Sequence, residues 1–349
     1  MLAVVLLYFS FRGVNWHDFL EALGSCRWEW ILAAMICGVI SFWLRALRWR
    51  ELLLPLDSST TVKTAFNAIN IGLVMNLVLP RVGELIRCGF ITRHSAAALS
   101  GSMHRQQRMA SYDKVLGTVV MERSWDVVTL LLLVSIVFVS MWGRFGSFLM
   151  DKIVRPFAGN IDLGIWWIPA ILVCAGVLCI WLLCRFHAKS RITETIYRFM
   201  TGILQGITSC LKMKRWWMFL IYTALIWIMY WLMSQTILLA VQGMDTSALP
   251  PGLSEAVERL SGLGALDALF LMLAGSLSSL VPVPGGFGAF HYIVATALST
   301  VYGVPFGLGI VFATLSHESQ TITQILCGGV SYVSESRQFM RENENGKDE

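Results

Sequence analysis

Residues 76–90 read NLVLPRVGELIRCGF. An uncharged run breaks at Pro80, Arg81, Glu84 and Arg87 follow at intervals of three, and the chain then turns apolar again. In a water-soluble domain this would be an ordinary helix start. What surrounds it excludes that: the chain is 56% hydrophobic and 14% charged, against about 25% charged in soluble domains. Mean hydropathy is +0.65. Uncharged stretches such as Leu163–Cys184, Trp216–Met244, Ala268–Phe290 and Tyr292–Ser316 reach the roughly 20 residues that cross about 30 Å of hydrocarbon as a helix. The fold class expected is an all-α polytopic membrane protein. No cleavable secretory signal is visible, and the first apolar run, Leu2–Phe11, is too short to span alone.

Loop Lys and Arg orient such a protein. Basic residues crowd at Arg45, Arg48 and Arg50, through about residues 81–123, and again from Arg185 to Arg215, which marks those regions as cytoplasmic. The stretches around residues 12–29, 144–163 and 242–263 are placed outside. Residues 51 and 123 then share a side, yet the apolar run Ala65–Pro80 between them is too short to cross comfortably. A re-entrant hairpin resolves the conflict, broken at Pro80 and Gly83 and returning through about Leu85–Leu99. The second half repeats the problem from the other face: Leu266–Val281 enters, breaks at PVPGGFG (282–288), and returns through about Ala289–Val301.

The expected architecture has about six full spans plus two re-entrant broken hairpins. It forms a single domain of inverted half-repeats, about 1–143 and 164–333, with a charged cytoplasmic tail at 334–349. Corresponding Pro/Gly-interrupted segments mark transport sites near the bilayer midplane, and broken backbone at that depth must line a cavity or be packed in protein. The symmetry also has a plainer source, because Pro and Gly are common in membrane helices in general.

Three clusters carry chemistry. Arg81, Glu84 and Arg87 would share adjoining helix faces, close enough for Glu84 to pair with either arginine. They read as an anion site, since arginine's planar fork suits phosphate, or as an interfacial ion-pair cluster holding the hairpin tip. In MERSWDVV, Glu122, Arg123 and Asp126 sit at the expected cytoplasmic start of a helix, where acids suit the macrodipole and Arg123 can pair with Asp126; a site role fits equally, with Arg123 turned inward to share the anion of the hairpin arginines. In VPVPGGFGAFH, Pro284 with Gly285, Gly286 and Gly288 would let backbone approach a ligand. His291, His317 and Glu318 are intramembrane ionisable groups and so functional candidates; a proton-coupling role and a neutral hydrogen-bonded histidine both fit. Trp227, Tyr230 and Trp231 read first as lipid-facing, and equally as walls of a lipid path.

NLVLPRVGELIR, VVMERSWDVV and VPVPGGFGAFH, in that order over about residues 60–330, resemble the lysylphosphatidylglycerol synthase transmembrane-region family. The resemblance implies a helical lipid-handling protein of the bacterial inner membrane, related to flippases for aminoacylated phospholipids and exporters of isoprenoid-type lipids. By motif position it implies Asn76, Pro80, Arg81, Gly83, Glu84 and Arg87 as the first signature. Glu122, Arg123 and Asp126 form the second, and Pro284, Gly285, Gly286 and Gly288 the third. Two departures stand out: histidines at 291 and 317, where the family often carries glutamate and arginine. With no soluble synthase domain in the chain, aminoacylation by this polypeptide is not expected.

The leading functional expectation is a lipid flippase for an anionic or phosphate-linked lipid. An intramembrane enzyme acting on lipid phosphates, and a non-transporting partner of a separate lipid synthase or glycosyltransferase, are the alternatives. Neither a metal nor a cofactor nor nucleic acid is expected. A membrane lipid is the expected ligand, a second copy of the chain is a compatible partner, and the C-terminus should be cytoplasmic.

Overall fold

A computed structural model describes residues 2–12, 14–100, 110–142, 201–205, 208 and 213–345. The apolar stretch Leu163–Cys184, the basic run Arg185–Arg215 for the most part, and the expected boundary between half-repeats lie outside them. Among the described residues all regular elements are helical: α1 (Leu2–Phe11), α2 (Trp16–Ser25), α3 (Trp28–Leu53), α4 (Val62–Val78), α5 (Val82–Ser100) and α6 (Tyr112–Ser140) precede the gap. After it come α7 (Trp216–Gln242), α8 (Pro251–Ser261), α9 (Ala265–Leu277), α10 (Ala289–Tyr302) and α11 (Phe306–Asn345), with short 3-10 turns between some of them.

By length and composition α3, α6 and α7 can each cross a bilayer. At 26 residues, α3 runs about 39 Å, enough for roughly 30 Å of hydrocarbon. In contrast α4, with 17 residues, extends only about 25 Å. The central pair is α3 against α7. Arg27 N–H donates to Ala240 O at 3.2 Å and Arg48 reaches Thr223, so the start of one helix meets the end of the other and the two are antiparallel.

Helices α4 and α5 form a tight hairpin. A Cβ on Gly83 would collide with the Gly72 carbonyl, and one on Gly72 would lie 2.8 Å from Gly83 O, so the limbs touch backbone to backbone, which only glycine permits. At the open end Glu335 of α11 accepts from Asn67 of α4 at 2.6 Å and meets His94 of α5 at 3.0 Å. The second broken segment is α9 and α10. Asp267 caps α9 by accepting the Gly264 N–H at 2.8 Å. Between the helices, Gly285, Gly286 and Gly288 take φ of +58°, +77° and +79°, the left-handed region that glycine alone enters without cost.

Two stretches expected to be outer loops contain helices, α2 and α8. Phe19 and Ala22 of α2 and Ala256, Val257 and Leu260 of α8 recur at helical spacing and are buried in one apolar cluster with the end of α7, which places both at the same end of the bundle. A second core gathers Trp49, Leu52, Ala65, Ile69, Ile91 and Val119 at the opposite end of α3. The final helix continues through the charged segment to Asn345.

Candidate functional site

A chain of hydrogen-bonded and ionic contacts crosses four helices, its ion pairs joining three of them. It begins at the first break, where Arg81 adopts φ +62°, a strained conformation for a residue with a Cβ. Asn76, at the end of α4, reaches over this break. Its Oδ1 accepts the Gly83 N–H at 2.8 Å and its Nδ2 donates to Glu84 Oε2 at 3.2 Å, satisfying groups that the helix start leaves open. The other oxygen of Glu84 takes Arg123 Nη2 at 2.8 Å, and Arg123 lies 3.8 Å from Asp126.

Asp126 in turn receives both forks of Arg48, at 2.6 and 3.2 Å, while Arg48 Nη2 also donates to Glu122 at 3.0 Å. Glu122 is fully buried, and its second oxygen stands 2.8 Å from Arg87 Nη2. That last pair is Coulombic rather than a directed hydrogen bond, because the Arg87 nitrogens find no well-oriented acceptor. The guanidinium instead lies 4.6 Å from the centre of the Trp49 ring, a cation–π contact. Trp49 is pinned by donation to Thr118 at 3.0 Å.

The ladder backs one wall of a cavity of about 770 Å³. Arg45, Asn76, Arg81, Glu84, Arg123 and Asp126 form its polar side; Leu130, Trp227, Tyr230, Phe290 and Phe312 form much of its apolar side. Gly285, Gly286 and His317 close it from the second break. The two breaks are joined directly, since Arg81 Nη2 donates to the Ser279 carbonyl at 2.9 Å.

Against expectation, Glu84 forms its ion pair with neither Arg81 nor Arg87 but with Arg123. An i, i+3 neighbour on a helix is a candidate partner only, and here the second helix offers a better-aligned guanidinium. Glu122 is not at a helix start: α6 begins ten residues earlier, and the carboxylate serves two buried arginines. Arg87 does not face the large cavity. With Gly83 it borders a small crevice behind it.

Pro80 and the second-break glycines Gly285 and Gly286 reach the cavity wall, but Pro284, Gly288, His291 and Glu318 do not. Gly288 faces α1: an added Cβ would lie 2.6 Å from Leu7 N, and its carbonyl accepts Ser10 Oγ at 3.1 Å. His317 sits between Gly285 O at 2.8 Å and Glu318 Oε1 at 3.0 Å. Trp227 and Tyr230 turn toward the cavity rather than to lipid.

Sequence reading missed Arg45 and Arg48 as site residues. In LRALRWR both served only as basic residues that mark a cytoplasmic region. The available signal was their spacing of three, which puts both on one face of a helix that is apolar up to Leu44. Arg45 is 7% exposed, and among the described residues it makes no hydrogen bond or ion pair. Across the cluster five arginines (45, 48, 81, 87, 123) meet three carboxylates (84, 122, 126), leaving two positive charges in excess.

The family model described as lysylphosphatidylglycerol synthase TM region matches residues 1–328. No curated protein and no solved structure matches the chain.

Proposed function

The chain belongs to the lysylphosphatidylglycerol synthase transmembrane-region family and is an integral membrane protein, and from that premise we propose that it moves a lipid with an anionic, phosphate-bearing headgroup between leaflets. One observation carries the reading. Arg45 is a buried cation on the cavity wall that makes no hydrogen bond or ion pair among the described residues and meets Glu122 only at longer range, and a buried charge without a directed partner is costly. A phosphate oxygen supplies that partner.

Arg45 and Arg81 would hold the headgroup, because the other three arginines are committed to carboxylates within the protein. The Arg48–Glu122–Arg87 layer behind them keeps the wall rigid. Trp227, Tyr230 and Leu130 offer the acyl chains an apolar path beside the polar wall. In this reading α4–α5 and α9–α10 are re-entrant hairpins of two inverted repeats, and rocking of one against the other exposes the cavity to each side in turn. The membrane is the bacterial inner membrane, with the C-terminus cytoplasmic. A separate lipid synthase or glycosyltransferase would supply or use the lipid.

The test is transport in liposomes carrying the purified chain and a labelled anionic phospholipid. Arg45→Ala removes a charge-assisted contact of about 1.5–3 kcal/mol, so headgroup affinity should fall roughly ten- to a hundredfold. Arg45→Lys should restore part of it, since lysine keeps the charge and loses the fork. Unchanged transport by Arg45→Ala defeats the assignment, and covalent conversion of the lipid by wild type would identify an enzyme instead.

A further inference from the structure

The second break carries a group of side chains that the lipid reading leaves unused. His291, on the first turn of α10, and His317 and Glu318, on α11, bring one nitrogen or oxygen each to within 4.8 Å of one another. His291 Nε2 lies 4.0 Å and His317 Nδ1 3.0 Å from the same oxygen, Glu318 Oε1.

The hydrogen bonding around His317 does not close with a neutral ring and an ionised Glu318. Its Nε2 lies 2.8 Å from the Gly285 carbonyl, which can only accept, so Nε2 carries the ring proton. In the neutral ring Nδ1 then presents a lone pair to a carboxylate oxygen 3.0 Å away. Two acceptors at that distance repel. A cation belongs between them, either a second ring proton or a metal ion.

His291 decides between the two. It is 2% exposed and makes no hydrogen bond among the described residues, with Phe11 and Phe290 packed against its ring. A proton shared by His317 and Glu318 would leave this buried imidazole without a partner. A metal ion draws one atom from each of the three groups, Nε2 in the case of His291, whose Nδ1 stays without a hydrogen bond among the described residues.

We propose that His291 Nε2, His317 Nδ1 and Glu318 Oε1 form a binding site for a divalent transition-metal cation of the zinc class. Two imidazoles and one carboxylate are a ligand set that such ions accept, with a fourth position left for water or an anionic oxygen. Bonds of about 2.0–2.2 Å require the ligand atoms to close in by less than about 1 Å, which side-chain rotation can supply. The His317 N–H to the Gly285 carbonyl is the outer contact that fixes a metal-binding tautomer. The bound ion would clamp α10 to α11 and hold the glycine turn against the cavity.

The test uses the tag-free full chain in detergent, stripped with chelator and titrated with Co²⁺ and Zn²⁺. Wild type should bind about one Co²⁺ per chain at this site, with a visible ligand-field spectrum that Zn²⁺ displaces, and the metal should raise its melting temperature. His291→Ala and His317→Ala should each weaken binding by roughly a hundredfold or more, and Glu318→Gln, a change at a half-exposed side chain, should do so without threatening the fold. An exposed cluster of His17, Asp18 and Glu21 is the internal control, and His17→Ala should leave the spectrum intact. Binding that is absent in wild type, survives Glu318→Gln together with His291→Ala, or disappears with His17→Ala overturns the site and leaves an imidazolium–carboxylate pair.

Discussion

Glu122 and Arg87 stand 2.8 Å apart with both side chains buried, 0% and 3% exposed. The arginine of the first hairpin is thus committed to the interior of the protein, and Glu122 is shared with Arg48 on its other oxygen. The pair is a structural joint between α5, α6 and α3.

Breaking that joint should cost stability before it costs affinity. Arg87→Ala leaves Glu122 with one of its two cations, and removal of one member of a buried pair typically costs about 3–5 kcal/mol. The expected outcome is a lower melting temperature in detergent and reduced yield of folded protein, with Glu122→Gln showing the same. Normal melting of Arg87→Ala alongside lost lipid binding would return Arg87 to the headgroup site.

Arg81 separates strain from charge. Its φ of +62° costs about 1–2 kcal/mol for a residue with a Cβ, so Arg81→Gly should melt at or above the wild-type temperature even though it loses the contact to Ser279. Transport of an anionic lipid should nevertheless fall. Retained transport in Arg81→Gly would show that the excess charge at this break is dispensable.

The glycines should rank by what a methyl group would strike. Gly83→Ala drives a Cβ into the Gly72 carbonyl, backbone that cannot swing aside, and should abolish the folded hairpin. Gly288→Ala meets the backbone of α1 and should destabilise strongly. Gly286→Ala has open space, the nearest atom being His317 Nε2 at 3.8 Å, and suffers only its φ of +77°. Melting temperatures in the order wild type, Gly286→Ala, Gly288→Ala, Gly83→Ala are expected; a Gly83→Ala protein as stable as wild type would contradict the packing described.

Orientation can be read by labelling intact cells in a background without native cysteines. Lys63→Cys, at the start of α4, should be shielded from an impermeant thiol reagent, and Thr246→Cys, between α7 and α8, should react. Both positions are exposed side chains. Labelling of Lys63→Cys from outside would invert the cytoplasmic assignment and remove the inverted-repeat reading with it.

Much of the architecture was legible in the chain itself, for local reasons. Whether a run can cross hydrocarbon depends on its own length and apolarity, and α3 and α7 could be read on that basis. Where a helix must stop depends on the residue at the stop, so Pro80 and the PVPGGFG turn marked both breaks correctly. The helices inside the stretches taken for outer loops, α2 and α8, were missed because their apolar residues are few and amphipathic, a signal weaker than the spans beside them.

Partner choice was not legible, because it depends on which helix faces come together. Nothing near Arg48 in sequence announces Glu122 and Asp126, more than seventy residues on, and nothing near Glu84 favours Arg123 over its own helical neighbours. The sequence by itself determined a membrane-embedded helical chain with two broken segments and an arginine-rich polar face, since span length, backbone conformation and charge are properties of contiguous residues. Only the tertiary structure decided which arginines are neutralised inside the protein and which, Arg45 above all, are left facing the cavity, because burial and ion pairing exist only once α3, α5 and α6 are packed against one another.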